Sequence, residues 1–258
     1  GKEFAKPAIR NTYTAPAFVQ VDGKDFGNVI ADKLTTYGDQ WKGINLADGQ
    51  DGLYNKDKAK AQLEKAKAEL QKDGVQFPIH IDVPVAQNST NFVSRMQSLK
   101  QTVEDTLGKD NVVIDVQKLS TDDADNATYF AQSPDQKDFD MDITGWGPDF
   151  QDPSTYLDIL NPTDGSTLTG MGLDPKKDQA LIEKIGLNQY KELLDAANAE
   201  KLDTNARYEK YAAAQAWLTE NAMVLPIYSK GGVPSITKVT PFSAANSAIG
   251  IKGESSFF

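Results

Sequence analysis

Carboxylate side chains crowd one stretch of the sequence. The aspartates in it are Asp138, Asp140, Asp142, Asp149, Asp152 and Asp158. Two carboxylates that face one cleft can hydrolyse a glycosidic bond, and their separation selects the mechanism. With 37 acidic residues in the chain, however, some clustering is expected by chance. Asp140 and Asp142 also lack the glycine and the terminal glutamate of an EF-hand calcium loop. The cluster alone therefore predicts neither an enzyme nor a metal site.

The sequence offers few residues for other kinds of catalytic or metal site. His80 is the single histidine, so a site with two histidine ligands is excluded, and the absence of cysteine excludes disulfides, thiol catalysis and Cys-ligated zinc. The sequence has no Gly-x-Ser-x-Gly nucleophile elbow, phosphate loop or dinucleotide fingerprint. We therefore expect His80 to be structural, and we expect no catalytic residue, no metal and no cofactor.

A second pattern follows a strand predicted over residues 139–146. Gly145 and Gly147 flank Trp146, and glycine lets another main chain approach the backbone closely. Trp146 offers a large flat wall with one polar N–H. Asp149 follows at the carboxyl end of the strand, where it could hold a cation such as an α-amino group. A tight turn with a core tryptophan and a solvated aspartate is an equally good interpretation of these residues.

The elements around this pattern can be predicted from periodicity. Asn55 is placed to cap a helix that stops at Gly74. Apolar residues then alternate over 77–85, recur at helical spacing over 92–107 and form a short run at 112–116. The order strand, helix, strand predicts a crossover unit with a parallel pair. Helices are predicted at 155–160, at 175–201 with Gly186 as a break, and at 205–221, with strands at 224–228 and 233–239.

Composition narrows the class of protein. The chain has 258 residues, of which 39% are hydrophobic, with a net charge of −10 and a pI near 4.7. An acidic chain repels a phosphate backbone, so we expect no nucleic-acid partner. No apolar run approaches the ~18 residues that could cross a bilayer. A start at Gly1 without a signal peptide and an end at Phe258 suggest a piece of a longer protein.

The string from Asp140 to Leu157 resembles a family signature, Gly-Trp-x-x-Asp-(Phe/Tyr)-x-(Asp/Glu)-Pro-(Ser/Thr). The signature is that of extracellular solute-binding proteins that recognise oligopeptides, dipeptides and nickel. Within that family, the sequence most resembles streptococcal oligopeptide-binding lipoproteins of the Ami/Ali type. The order of elements before and after the string agrees with this resemblance.

The resemblance implies an α/β fold, one lobe of a bilobal, periplasmic-binding-protein-like (type II) fold with a mixed sheet flanked by helices. The chain would correspond to roughly the C-terminal half. We expect residues 1–53 to be a loop-rich segment packed on the lobe and residues 54–240 to be the substrate-binding lobe. Residues 241–258 would return toward the missing lobe.

The resemblance also implies a peptide site. Asp149 would pair with the α-amino group of the peptide, and the backbone at Gly145 and Gly147 would bond to it as to an added strand. Trp146 would line a side-chain pocket, and Phe150 belongs to the same set. A second set, Asn88, Ser89 and Asn91, could face the cleft, although a helix cap is the favoured interpretation of that stretch.

The implied function is to bind extracellular oligopeptides and deliver them to the membrane permease of an ABC importer, as a monomeric lipoprotein anchored outside the cell. Ile143 stands where some relatives carry an arginine that holds the peptide's C-terminus, so we expect weak C-terminal clamping and tolerance of longer peptides. Two alternatives remain: a module for interaction or sensing without transport, and a carboxylate-dependent hydrolase.

Overall fold

The computed structural model describes residues 8–9, 12–15, 17–47 and 52–229. The strands of the described residues are β1 (Ala8–Ile9), β2 (Gln20–Val21), β3 (Lys24–Asp25), β4 (Ile79–Ala86), β5 (Val112–Leu119) and β6 (Tyr228–Ser229). The helices are α1 (Phe26–Leu34), α2 (Lys56–Lys72), α3 (Thr90–Leu107), α4 (Thr121–Ala127), α5 (Ser154–Leu157), α6 (Ser166–Gly170), α7 (Gln179–Lys184), α8 (Leu187–Ala199) and α9 (Thr204–Glu220). No helix in the described ranges is both long and apolar enough to cross a membrane.

The chain divides into two compact units. The parallel-pair unit comprises Tyr54–Gly145 and Ser166–Lys177, and the helical unit comprises Gly1–Leu53, Trp146–Gly165 and Asp178–Phe258. The division into 1–53, 54–240 and 241–258 stays a prediction, and residues 241–258 lie outside the described ranges.

The parallel-pair unit confirms the predicted crossover. Asn55 caps α2, since its Oδ1 accepts the N–H of Lys58 at 2.9 Å. β4 and β5 then pair in parallel, from Ile79 opposite Val112 to Ala86 opposite Leu119, with α3 as the connection. Gly108 ends α3 with a φ of +86°, a conformation that glycine adopts at little cost.

The core of this unit lies where α3 covers the strand pair. Its buried members are Val83, Val85, Met96, Val112 and Ile114. The side chains of Leu63, Leu99 and Val103 pack against them from α2 and α3, as the helical spacing predicts. Alternate residues of β4 and β5 thus meet one face of α3, which fixes the register of the strands.

The strand predicted over 139–146 is not formed. The N–H groups of Asp140 and Met141 do donate to the Asp82 carbonyl of β4, at 3.2 and 3.1 Å. The Asp82 N–H, however, donates to the Asp140 carboxylate at 3.0 Å, so a side chain takes the place of a backbone carbonyl. Met141 and Ile143 still pack on the core, so alternate side chains of this segment face it without a ladder.

The helical unit is built on α9. Its buried side chains pack against α1 and α8, and the Trp217 ring lies 5.6 Å from the Tyr190 ring, centroid to centroid. The predicted break at Gly186 is confirmed, because α7 and α8 are separate helices and Gly186 has a φ of +80°. The stretch described as loop-rich from sequence contains the buried helix α1, capped by Asp25.

The predicted sheet also differs from the observed one. The described strands form three separate two-stranded sheets: β1 with β6 and β2 with β3, both antiparallel, and β4 with β5. Of the strand predicted at 224–228, only Tyr228 enters a pair, because Pro226 has no N–H to give to a ladder. The strand predicted at 233–239 lies outside the described residues.

Candidate functional site

The predicted site residues fall on both units. Trp146, Gly147, Asp149 and Phe150 belong to the helical unit, whereas Gly145 is the last residue before the chain leaves the parallel-pair unit. The second set, Asn88, Ser89 and Asn91, belongs to the parallel-pair unit. Each group is therefore described within its own unit.

The segment around Trp146 is open to solvent. The Trp146 side chain is 42% exposed, and Phe150 is exposed as well. A methyl group built on Gly145 or on Gly147 would have no neighbour within 4 Å. Because Trp146 is exposed, the alternative in which it is a core side chain is wrong. An open backbone between large apolar surfaces can accept the main chain of another molecule.

Asp149 is held by its backbone and free at its carboxylate. Its N–H donates to Thr155 Oγ1 at 3.1 Å, and Thr155 is buried at the start of α5. The Asp149 side chain is exposed and has no hydrogen bond or ion pair with any residue in the described ranges. A fixed backbone with an unused carboxylate is the arrangement that a cation-binding group needs.

Asp152, three residues on, is used differently. Arg207 of α9 binds it through two parallel contacts, Nη1 to Oδ2 at 2.5 Å and Nη2 to Oδ1 at 3.1 Å. Oδ1 of Asp152 also accepts the N–H of Ser154, the first residue of α5, at 3.0 Å. Sequence reasoning did not identify Arg207, because it lies 55 positions from Asp152.

The polar network continues from Arg207 into α8. Arg207 Nη2 donates to the Tyr211 hydroxyl at 3.1 Å, and that hydroxyl donates to Asn198 Oδ1 at 2.5 Å. Burial also raises the pKa of Asp158, because it disfavours the charged form of the carboxyl group. The buried Tyr190 hydroxyl donates to the Leu157 carbonyl at 2.8 Å. The segment after the signature is therefore tied to both α8 and α9.

The second candidate set lies at the carboxyl end of β4. Asn88, Ser89 and Asn91 are all exposed. Ser89 occupies the N-cap position of α3 but makes no side-chain capping hydrogen bond. The chain turns there through backbone bonds, from the Ser89 N–H to Ala86 O at 2.9 Å and from the Thr90 N–H to Asn88 O at 3.1 Å. The edge is the one at which ligands of parallel sheets bind, and the polar side chains on it are free to point outward.

Four other titratable groups make contacts within the parallel-pair unit. His80 Nδ1 lies 2.7 Å from Asp115 Oδ2, across the β4–β5 pair. Asp82 and Asp140 are hydrogen-bonded to each other, and that contact raises the pKa of Asp82. Within the described ranges, no three histidine, aspartate or glutamate side chains are grouped so that they could hold a metal ion.

Comparison with known sequences finds a protein family whose model matches this chain and several similar proteins. Residues 23–167 match the model of the middle region of the bacterial extracellular solute-binding proteins, family 5. The chain is 52% identical over 254 residues to the oligopeptide-binding protein SarA of Streptococcus gordonii. It is 51% identical over 257 residues to the oligopeptide-binding protein AliA of Streptococcus pneumoniae. These alignments cover 98% and 99% of this chain but only 38% and 39% of the relatives, so the chain spans about two-fifths of their length.

A solved structure supports the fold. The pheromone receptor PrgZ, studied for its mode of peptide binding, aligns with 87% of this chain and 34% of its own, with a TM-score of 0.55. The two sequences are 20% identical over that region. At this level of identity, the likeness establishes a shared periplasmic-binding-protein-like fold and leaves the ligand to be argued from the site.

Proposed function

Because the chain belongs to family 5 of the bacterial extracellular solute-binding proteins, we propose that the protein binds extracellular oligopeptides and delivers them to an ABC importer. One observation carries the proposal: 52% identity over 98% of the chain to an oligopeptide-binding protein. The alignment covers residues of both units, so it includes the core as well as the exposed segments.

The geometry of the helical unit supports a peptide as the ligand. The open backbone at Gly147 can bond to a peptide main chain, which gives affinity whatever the peptide sequence. Trp146 and Phe150 provide exposed apolar surface for side chains. The free Asp149 carboxylate can accept the α-amino group. We propose separately that Gly145, Asn88, Ser89 and Asn91, which belong to the parallel-pair unit, offer polar contacts to a peptide.

The wider role follows the same reasoning. We propose a monomeric receptor outside the cell, anchored as a lipoprotein in its full-length form, that passes its ligand to a membrane permease. With Ile143 in place of a positive charge, the peptide's C-terminus is held only weakly and longer peptides are tolerated. The protein is not an enzyme in this proposal, and the ion pair with Arg207 gives Asp152 a structural role beside Asp149.

The test uses the fluorescence of Trp146 in the longest natural form of the protein, after refolding to remove bound ligand. Trp41 and Trp217 are 8% and 1% exposed and Trp146 is 42% exposed, so Trp146 is the tryptophan of residues 1–258 that iodide reaches most readily. Peptides of about five to nine residues with a free N-terminus should protect it, and a Trp146→Phe variant provides the background signal. A charge-assisted hydrogen bond is worth ~1.5–3 kcal/mol. N-acetylated peptides should therefore bind roughly ten- to a hundredfold more weakly.

Asp149→Asn should remove most of that difference, since an amide cannot pair with the ammonium group as a carboxylate does. Isothermal titration of the same peptide pools gives the affinities independently. If neither pool binds, the peptide-receptor proposal is wrong, and binding to a protein partner becomes the function to examine. If both pools bind equally well to the unaltered protein, the role of Asp149 is wrong.

A further inference from the structure

We infer that Arg207 is a positioning residue for the peptide site: through its ion pair with Asp152 it fixes the signature turn, residues 146–151, so that Asp149 faces the ligand. The inference rests on the proposed function. Arg207 itself does not touch the ligand in this scheme. It acts through Asp152, and its effect should be seen in selectivity for the peptide's amino group.

The ion pair is suited to fixing an orientation. The two contacts from the guanidinium reach both oxygens of the Asp152 carboxylate, and both side chains are largely shielded from solvent. A planar fork on a carboxylate sets direction as well as distance, which a lysine at the same place cannot do. The pair therefore defines how the Asp152 carboxylate is turned relative to α9.

Short backbone contacts carry that orientation to Asp149. The Asp152 N–H donates to the Phe150 carbonyl at 3.0 Å, and the Thr155 N–H donates to the Asp152 carbonyl at 3.1 Å. Thr155 Oγ1 then accepts the Asp149 N–H at 3.1 Å. Asp152 is thus bonded through both its N–H and its carbonyl, to Phe150 directly and to Asp149 through Thr155.

The other end of the pair is anchored in the core. The guanidinium carbon of Arg207 lies 5.1 Å from the centroid of the Tyr211 ring, and the Tyr211 hydroxyl bonds to Asn198 of α8. Tyr211 is completely buried. Because α8 and α9 form the packed centre of the helical unit, they provide a rigid reference for the exposed turn.

The closing experiment compares Arg207→Gln with Lys210→Gln. Lys210 lies on the same helix and pairs with Glu200 at 3.0 Å, away from the turn, so it is a matched control for the loss of one cation. In the unaltered protein, free peptides should bind roughly ten- to a hundredfold more tightly than acetylated ones. In Arg207→Gln this ratio should fall below about threefold, because a turn that is no longer fixed presents Asp149 poorly. Lys210→Gln should keep the ratio.

A second readout needs no peptide. Hydrogen exchange at the Asp149 amide should become at least about tenfold faster in Arg207→Gln, while amides in the middle of α9 stay protected. An Asp152→Asn/Arg207→Gln double variant should lose no more selectivity than either single variant, because the two side chains act as one unit.

The outcomes separate the two proposals. An unchanged selectivity ratio in Arg207→Gln, or an unchanged exchange rate at Asp149, overturns the positioning role. Equal losses for free and acetylated peptides also overturn it, because they indicate general destabilisation. If the unaltered protein binds no peptide but hydrogen exchange at the Asp149 amide becomes faster in Arg207→Gln, Arg207 does position the turn and the proposed peptide-binding function is wrong.

Discussion

Two side chains of α3, Glu104 and Lys100, bond to the backbone of β5 on the side that faces away from β4. We expect the stability of β5 to depend on the negative charge of Glu104. The Ile114 N–H donates to Glu104 Oε1 at 3.1 Å, and Lys100 Nζ donates to the Ile114 carbonyl at 2.5 Å. Lys100 Nζ also donates to Glu104 Oε1 at 2.5 Å. Glu104→Gln keeps an acceptor for the Ile114 N–H but removes the negative charge that binds Lys100.

The size of the effect follows from burial. Hydrogen bonds to charged groups contribute ~1.5–3 kcal/mol, but the Lys100 side chain is 30% exposed, so water weakens its contact with Glu104. We expect Glu104→Gln to lower the free energy of unfolding by about 1–2 kcal/mol. Lys109 reaches the same carboxylate at 3.6 Å and is 71% exposed, so Lys109→Gln should cost less than ~0.5 kcal/mol.

The effect should also depend on pH in a defined direction. The hydrogen bond from Lys100 is the main cause that lowers the pKa of Glu104 below its ordinary value of 4.5. A carboxyl whose pKa is lower in the folded state binds more protons when unfolded, so it stabilises the fold above pH 4.5 and loses that contribution as the pH falls through its folded pKa. The difference between the unaltered protein and Glu104→Gln should therefore shrink below about pH 4.5.

The assay is hydrogen exchange measured by mass spectrometry on peptides of β5, combined with urea unfolding followed by circular dichroism. Faster exchange across β5 in Glu104→Gln, with β5 unchanged in Lys109→Gln, is the expected result. Equal effects of the two substitutions would refute the argument from burial. A stability difference that stays constant down to pH 3 would refute the proposed link to the Glu104 charge.

Two further predictions concern the helical unit and use urea unfolding followed by tryptophan fluorescence. Tyr190→Phe removes the buried hydrogen bond to α5 and should lower the free energy of unfolding by about 1–2 kcal/mol. Tyr208→Phe is the control, because the Tyr208 hydroxyl makes no hydrogen bond among the described residues, and it should lower the free energy of unfolding by less than ~0.5 kcal/mol. Gly186→Ala places a methyl group 3.2 Å from the Trp217 ring at a φ of +80° and should lower the free energy of unfolding by about 2–5 kcal/mol, of which ~1–2 kcal/mol is the backbone and ~1–3 kcal/mol the contact. Gly43→Ala has the similar φ of +77° but open space, so it should cost only the ~1–2 kcal/mol of the backbone; equal costs at the two glycines would show that the contact contributes nothing.

Periodicity predicted most of the elements because local patterns and packing agree there. The cap at Asn55, the parallel pair and the break at Gly186 each depend on residues close in sequence, and each is found. The strand predicted over 139–146 failed for a non-local reason. The Asp140 carboxylate competes for the Asp82 N–H, and propensity within the segment cannot show that competition.

The candidate site shows the same limit more sharply, because its aspartates look alike in sequence and differ only in their partners. Asp152 is neutralised by Arg207, Asp140 shares a hydrogen bond with Asp82, and Asp149 keeps a free, exposed carboxylate. An aspartate already paired within the fold binds an incoming cation weakly, since that cation must replace an existing partner. The resemblance to a family signature selected Asp149, and its free carboxylate fits the proposed role of receiving a peptide's amino group, whereas the carboxylates of Asp140 and Asp152 are already engaged within the fold.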